Sequence, residues 1–200
     1  MCIRDRDEAE LHDGERILIR PIGSADGQQL AALHARLTPD SIYRRYFGVK
    51  PRLSGAELQR FTGVGEQWRF ALVGVRGTGQ LAGVARYEGT AGSTAAEIAL
   101  IVDDAVHRLG LGSLLLRRLV DVALVNGVAR LDAVVLTSNQ PMLALLRTLP
   151  VPATSARDAG TVVVTLDLKG LELPADRSRV AAAHIAEAAE IRAGLDRHLT

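Results

Sequence analysis

Three short apolar runs between residues 69 and 102 most constrain the fold of this chain. The first two, 69–75 and 80–87, are separated by Gly77-Thr78-Gly79, a turn composition typical of a β-hairpin. The third run, 96–102, follows a second glycine-containing turn. Because short connections join antiparallel neighbours, the pattern predicts a three-stranded antiparallel meander.

Helices are predicted on both sides of this meander. Upstream, a strand over 16–20 precedes three helical segments that begin near Ser24, Asp40 and Ser54. Downstream, apolar residues recur at helical spacing over 111–125. The remaining predicted elements are a strand over 131–136, a helix over 141–149 and a β-branched strand over 161–168. This order predicts a mixed α/β fold (an α+β mixed sheet), with a central, mostly antiparallel sheet flanked by helices.

The two ends of the chain differ in composition from this domain. Residues 1–14 are polar and show no period, so they predict a disordered leader. The domain is expected over 15–170. Pro174 precedes an Ala-, Glu- and Arg-rich stretch, so 171–200 predicts a C-terminal helical appendage, either packed loosely on the domain or offered to a partner.

Charge and cysteine content disfavour several classes of protein. The chain of 200 residues has 24 Lys and Arg against 23 Asp and Glu, which leaves no positive excess for nucleic acid or an anionic membrane. Its single cysteine, Cys2, permits neither an intramolecular disulfide nor a cysteine zinc cluster. No apolar stretch reaches the roughly 18–20 residues of a membrane-spanning helix, and the charged N-terminus lacks the apolar core of a secretion signal. We therefore expect a cytoplasmic protein.

A strand-to-helix loop with two glycines, 107–113, is the segment best suited to carry chemistry. Glycines let main-chain N–H groups approach a ligand, and the free N–H groups and dipole of the following helix favour a phosphate. An ordinary turn and cap would use the same residues, so both interpretations stay open. A dinucleotide fingerprint would need a third glycine where Leu115 stands, and a nucleotide P-loop would need Gly-Lys-Ser or Gly-Lys-Thr.

The sequence His107-Arg108-Leu109-Gly110-Leu111-Gly112 resembles the acetyl-CoA loop of the GNAT N-acetyltransferase superfamily, which reads Gln/Arg-x-x-Gly-x-Gly/Ala. The segments 37–47, 51–54 and 69–73 look like the N-terminal half of the bacterial Pat-type protein-lysine acetyltransferases. The resemblance covers about residues 16–168. It implies the GNAT-like acyl-CoA N-acyltransferase fold, with an added C-terminal helix.

The resemblance also implies a site for acetyl-CoA as cosubstrate. Its pantetheine arm would pair, like an added strand, with main-chain groups of Leu100, Ile101 and Val102. Its pyrophosphate would be held by His107, Arg108, Leu109, Gly110, Leu111, Gly112 and Ser113. Asn139 would contact the cosubstrate, or serve only as an Asx cap for the following helix.

Glu97 matches the glutamate that the resemblance implies as general base for the attacking amine. The alternative is that Glu97 lies on the wet face of an antiparallel strand, where a charge is ordinary. The aromatic residues of the first half, Tyr43 among them, are expected mostly as core packing under the early helices. Because those helices flank the acceptor site in the superfamily, the resemblance offers Tyr43, Arg44 and Arg45 as residues that shape the acceptor pocket. The histidines at 12, 34, 184 and 198 are scattered, and none of them has a carboxylate or cysteine at metal-ligand spacing, so no metal is expected.

Three departures bear on turnover. His107 stands where Gln or Arg is usual, Leu146 replaces a tyrosine that many members use to protonate the leaving thiolate, and Pro150-Val151 replaces Gly-Phe. The expected function is transfer of an acetyl group from acetyl-CoA to a primary amine, with a protein lysine favoured as acceptor. The alternatives are a small-molecule amine acetyltransferase and an acyl-CoA-binding module with weak or lost catalysis. The meander argues against a dinucleotide-binding oxidoreductase.

Overall fold

The computed structural model describes residues 7–63 and 65–196. The strands within them are β1 (Asp7–Glu10), β2 (Arg16–Pro21), β3 (Arg69–Arg76), β4 (Leu81–Gly89), β5 (Ala95–Val102), β6 (Arg130–Leu136), β7 (Ala153–Asp158) and β8 (Thr161–Asp167). They form one sheet in the order β1-β2-β3-β4-β5-β6-β8-β7. Every neighbouring pair is antiparallel except β5 and β6, which are parallel.

Helices cover both faces of this sheet. They are α1 (Gly27–Arg36), α2 (Pro39–Tyr46), α3 (Gly55–Thr62), α4 (Leu111–Val125), α5 (Gln140–Arg147) and α6 (Ala175–Asp196). The larger apolar cluster includes buried residues of α4, α5 and α6, and a second cluster lies where α1 and α3 pack on β3 and β4. The mixed α/β fold with a mostly antiparallel sheet is therefore confirmed.

The predicted amphipathic helix is confirmed as α4, with the predicted bounds. Leu111, Leu115, Leu119 and Val122 are all buried against the sheet, as their spacing predicts. Gly74 and Gly83 make room for this helix, because a Cβ at Gly83 would lie 3.1 Å from the Leu115 side chain.

Local capping fixes where the helices near the sheet begin. The Thr38 side chain accepts a hydrogen bond from the Ser41 N–H at 3.3 Å, with Pro39 at the first helical position of α2. Ser54 and Glu57 form the capping box that the sequence predicts for α3. These caps set the position of α2, which forms one wall of the cleft described below.

Residues 7–14 do not form the disordered leader that the sequence predicts; residues 1–6 lie outside the described residues. β1 pairs with β2, and Leu11 is buried in the main core. Asp7 is held by Arg118 at 2.7 and 2.9 Å and by the His184 ring at 3.1 Å. This strand could not be predicted from the sequence, because its four residues, Asp-Glu-Ala-Glu, show no alternation of apolar and polar side chains.

The C-terminal helix is also packed more closely than expected. In α6, Ala181, His184 and Ala188 are buried, and Arg177 forms an ion pair with buried Asp121 of α4. The absence of a side chain at Gly65 lets the backbone of α6 come close, because a Cβ there would lie only 3.2 Å from the Ala188 backbone oxygen. Loose packing is therefore wrong, whereas the domain bounds 15–170 and 171–200 stay a prediction.

Candidate active site

A cleft opens in the sheet where β5 and β6 separate. The two strands pair only over Ala95–Glu97 and Arg130–Asp132, and then diverge. The resulting cleft has a volume of about 490 Å³. Its walls come from β5, β6, the loop before α4, the start of α5, and α2. A split between parallel neighbours leaves main-chain groups unpaired, which suits an extended ligand.

The free edge of β5 faces this cleft. Leu100, Ile101 and Val102 line it, while their other edge pairs with Ala85, Val84 and Gly83 of β4. An extended chain laid in the cleft can use the main-chain groups that point away from β4. One of these groups is already engaged, because the Val102 carbonyl lies 2.9 Å from the His107 ring nitrogen Nε2.

His107 therefore fastens the loop to β5. A carbonyl only accepts, so Nε2 carries the hydrogen and donates it to Val102. The other ring nitrogen, Nδ1, lies 3.6 Å from an Asp104 carboxylate oxygen. Asp104 in turn accepts hydrogen bonds from Thr38 and Ser41, which ties the loop to α2.

The loop before α4 has the backbone that an anion site needs. Gly110, with φ of 95°, is the cap residue of α4 and offers no side chain to the first turn. The first helical N–H groups, of Leu111, Gly112 and Ser113, lie at the positive end of the helix dipole. Gly110, Gly112 and Ser113 also line the cleft. The arrangement can hold a phosphate at the N-terminus of α4.

Arg108 adds a cation to the same loop. It is exposed, lines the cleft and has a φ of 63°, in the left-handed region that a non-glycine residue adopts at a cost. Leu109 lies beside it and packs against the main apolar cluster. The seven residues expected from the sequence thus run from this loop into the first turn of α4, and all of them except Leu109 and Leu111 line the cleft.

His12 is a cleft residue that sequence reasoning missed. It lies in the β1–β2 turn, donates its main-chain N–H to the Leu109 carbonyl at 3.1 Å, and lines the cleft. A Cβ at Gly110 would lie 3.0 Å from its ring nitrogen Nε2. No sequence signal could have placed it there, because the turn belongs to the stretch predicted as disordered.

Glu97 lies in the cleft where β5 and β6 part. It faces Glu88 across the β4–β5 ladder. Glu88 is engaged by Arg60 at 2.9 Å and by Arg86 at 3.3 Å. Among the described residues, Glu97 has no hydrogen-bond or ion-pair partner, and it is exposed. Its carboxylate oxygens therefore accept no hydrogen bond within the described residues, although Arg45 lies close enough to interact with Glu97 electrostatically.

The α5 wall departs from the expected arrangement of functional groups. Asn139 lines the cleft, and its side-chain oxygen accepts from the Met142 N–H at 3.3 Å, which is the capping geometry. Leu146 is buried in the core and offers no hydroxyl, while Met142 and Leu145 line the cleft instead. This wall is apolar apart from Asn139.

The opposite wall belongs to α2. Ser41, Arg44, Arg45 and Phe47 line the cleft, whereas Tyr43 is exposed and does not. Arg44 forms an ion pair with Asp40 at 2.7 Å. Two of the three α2 residues considered from the sequence therefore reach the cleft.

Comparison with known proteins identifies the family of this chain. Residues 38–149, more than half of the chain, match the Acetyltransferase (GNAT) family. The chain belongs to the GNAT acetyltransferase family. It is 31% identical over 135 residues to acetyltransferase PA5475 of Pseudomonas aeruginosa, a match that spans 66% of this chain and 73% of that protein. The family and the enzyme class expected from the sequence are confirmed.

Solved structures with the GNAT fold agree with this assignment. The GNAT domain of S. lividans PAT superposes with a TM-score of 0.75 at 28% identity, covering 84% of this chain and 99% of that one. The acetyltransferase yncA from Salmonella typhimurium, solved with its cofactor acetyl-CoA, superposes with a TM-score of 0.61 at 20% identity, covering 79% and 97%.

The described residues contain neither a cluster of metal ligands nor a helix that could span a membrane. Among residues 7–63 and 65–196, no group of three or more His, Cys, Asp or Glu side chains is arranged to hold a metal ion. In the same residues, none of the helices has the length and apolar character needed to cross a membrane.

Proposed function

We propose that the protein transfers an acetyl group from acetyl-CoA to a primary amine, with a lysine side chain of another protein as the acceptor. The observation that carries the proposal is that the unpaired edge of β5, the free N–H groups at the start of α4 and the unengaged Glu97 share one cleft. Similarity to the S. lividans PAT domain supports the choice of a protein acceptor. We also propose that the protein acts in the cytoplasm.

The residues present fit acetyl-CoA. The N-terminus of α4 and Arg108 would hold its pyrophosphate, and the edge of β5 would pair with its pantetheine arm. When bound, acetyl-CoA supplies a thioester carbonyl that a neutral amine can attack. Because Val102 already accepts from His107, the β5 carbonyls left for pairing lie closer to Glu97.

Glu97 has the role of general base. A lysine amine with its usual pKa of about 10.4 is almost entirely protonated at neutral pH. Glu97 accepts its proton, directly or through water, so that the nitrogen lone pair can attack the thioester carbonyl. The C–N bond of the amide then forms as the C–S bond breaks, and the nitrogen loses its second proton to water. The cleft offers no side-chain acid at Leu146, so the departing thiolate takes its proton from water.

Replacement of Glu97 by Gln tests this role. We expect kcat to fall by about 100- to 10,000-fold, because the general base is lost while the shape of the cleft is kept. The Kd for acetyl-CoA, measured by calorimetric titration, stays the same. The matched control is Glu8→Gln, an exposed glutamate on β1 outside the cleft.

The same titration separates the alternatives. Micromolar binding of acetyl-CoA and desulfo-CoA without binding of NAD supports the proposed cosubstrate. If acetyl-CoA binds but no amine is acetylated, and if Glu97→Gln leaves this binding unchanged, the result would instead favour an acyl-CoA-binding module. The buried Leu146, which leaves the cleft without a tyrosine hydroxyl, is the observation that keeps this second candidate.

A further inference from the structure

Arg45 is a partly buried cation that Glu97 and Glu88 influence electrostatically, but neither carboxylate accepts a hydrogen bond from it. It lies on α2 and lines the cleft. Among the described residues it has no hydrogen bond or ion pair, and its guanidinium lies 5.0 Å from the ring centroid of the adjacent Tyr46. Its neighbour Arg44 is paired with Asp40. The five N–H donors of Arg45 are therefore available to a ligand.

Arg86 is a second arginine with incomplete partners beside Arg45. It projects from β4 with only 9% of its side chain exposed, and its buried Nε has no hydrogen-bond partner within the part of the chain that the structure describes. The guanidinium lies 4.1 Å over the Phe61 ring and makes one 3.3 Å contact with Glu88. Burial lowers the pKa of Arg86 to about 10, so it stays charged at neutral pH. Arg45 and Arg86 line one small cavity next to the cleft.

Positive charge exceeds negative charge at this end of the cleft. Three arginines, Arg45, Arg60 and Arg86, face two carboxylates, Glu88 and Glu97. Glu88 is already bound by Arg60 and Arg86, and Glu97 is reserved for the acceptor amine. An unpaired, partly desolvated cation is costly, and a carboxylate from the ligand would remove that cost.

Large exposed apolar side chains lie on α2, which carries Arg45, and just after its end. Phe47, which lines the cleft, is 41% exposed, and the nearby Tyr43 and Val49 are 51% and 92% exposed. A polypeptide segment can pack on the exposed ring of Phe47 while its lysine occupies the cleft. Large exposed apolar residues beside a site mark a surface that contacts another protein.

We propose that the acceptor lysine is carried on a polypeptide segment with an Asp or Glu next to it, whose carboxylate is bound by Arg45. This inference rests on the proposed function and specifies its substrate. The lysine nitrogen approaches Glu97, while the neighbouring carboxylate accepts hydrogen bonds from the Arg45 guanidinium. Phe47 packs against the peptide on the solvent side.

Paired peptides test the inference. Two peptides that differ only in Asp or Asn next to a single lysine are compared as acceptors by kcat/KM. We expect wild type to prefer the Asp peptide by about tenfold or more, which is the scale of one charged hydrogen bond. Arg45→Ala should remove this preference, and Arg45→Glu should transfer it to a peptide with Arg in place of Asp. The Kd for acetyl-CoA, measured for each variant, reports that the fold is intact.

The control variant is Arg52→Ala, an exposed arginine outside the cleft, which should keep the wild-type preference. Equal kcat/KM for the two peptides in wild type, or a preference that persists in Arg45→Ala, overturns the inference. Acetylation of free aspartate or glutamate with no peptide acetylated also overturns it, but leaves acetyl transfer standing. Absence of CoA release with every amine overturns the proposed function itself.

Discussion

At the scale of single residues, the site depends on backbone conformations that few side chains tolerate. Gly110 has a φ of 95°, and the space where a Cβ would lie is occupied by the His12 ring. Arg108, two residues earlier, has a φ of 63°, a conformation that costs conformational free energy in a residue with a side chain. Such conformations persist where the surrounding structure holds them for a ligand.

Gly110→Ala is expected to weaken acetyl-CoA binding. A left-handed alanine costs about 1–2 kcal/mol, and the added Cβ displaces His12, so the Kd should rise by about tenfold. Calorimetric titration measures the change. Gly127→Ala is the matched control, because Gly127 has a φ of 76° at the other end of α4 with nothing within 4 Å. An unchanged Kd in Gly110→Ala would show that the loop can relax without loss.

The positions of the site residues were predictable from the sequence where a motif exists. Gly110 and Gly112 were found by the loop pattern, and Glu97 by resemblance, and the structure brings all three to one cleft. The bond from His107 to Val102 was not predictable, because it joins two residues through a ring orientation that no spacing encodes. The catalytic and binding roles of these residues remain predictions.

At the scale of elements, strong periodicity predicted boundaries well. The meander and α4 agree with prediction to within one or two residues. β7 was missed because all six of its residues are exposed, so neither face selects apolar side chains. The close packing of α6 was missed for a related reason: it uses Ala181 and Ala188, which carry almost no hydrophobic signal.

The ion pair between α6 and α4 should matter for stability. Asp121 is buried, with 2% of its side chain exposed, so Arg177→Ala leaves an unpaired carboxylate in the protein interior. We expect the free energy of unfolding to fall by about 3 kcal/mol, measured by urea titration.

Arg179→Ala, an exposed residue of the same helix, is the control and should change stability by no more than about 0.5 kcal/mol. Equal effects of the two substitutions would mean that the Arg177–Asp121 ion pair adds nothing measurable to stability. Removal of 175–200 provides a second measurement. It should unfold the domain if α6 completes the core, and should leave acetyl-CoA binding intact if α6 is only an appendage.

At the scale of the whole molecule, the first and last described elements are joined through one buried carboxylate. Burial alone would raise the pKa of Asp7, but hydrogen bonds from His184 and Arg118 outweigh it, so the pKa lies below its usual value. The ionised carboxyl is therefore favoured more in the folded protein than in the unfolded chain. The stability this contributes is present above about pH 4 and is lost as the pH falls through the lowered pKa.

Asp7→Asn should lower stability at pH 7 by about 3 kcal/mol and flatten the loss of stability as the pH falls below about 4. Urea unfolding midpoints at pH 7, 5 and 3 measure both effects. Asp40→Asn is the control, because the Asp40 side chain is 66% exposed and its surface ion pair with Arg44 is worth about 1 kcal/mol or less. A wild-type acid profile in Asp7→Asn would contradict the assignment.

The separation of β5 from β6 has a consequence for the lifetime of the molecule. A ligand that fills the gap acts as a missing strand and joins two parts of the sheet that the chain itself leaves apart. By mass action, acetyl-CoA at about 100 times its Kd would add about 2.7 kcal/mol to the folded state. The abundance of this protein in a starving cell would then follow the supply of its own acetyl donor, because the unliganded form is the one that proteases reach first.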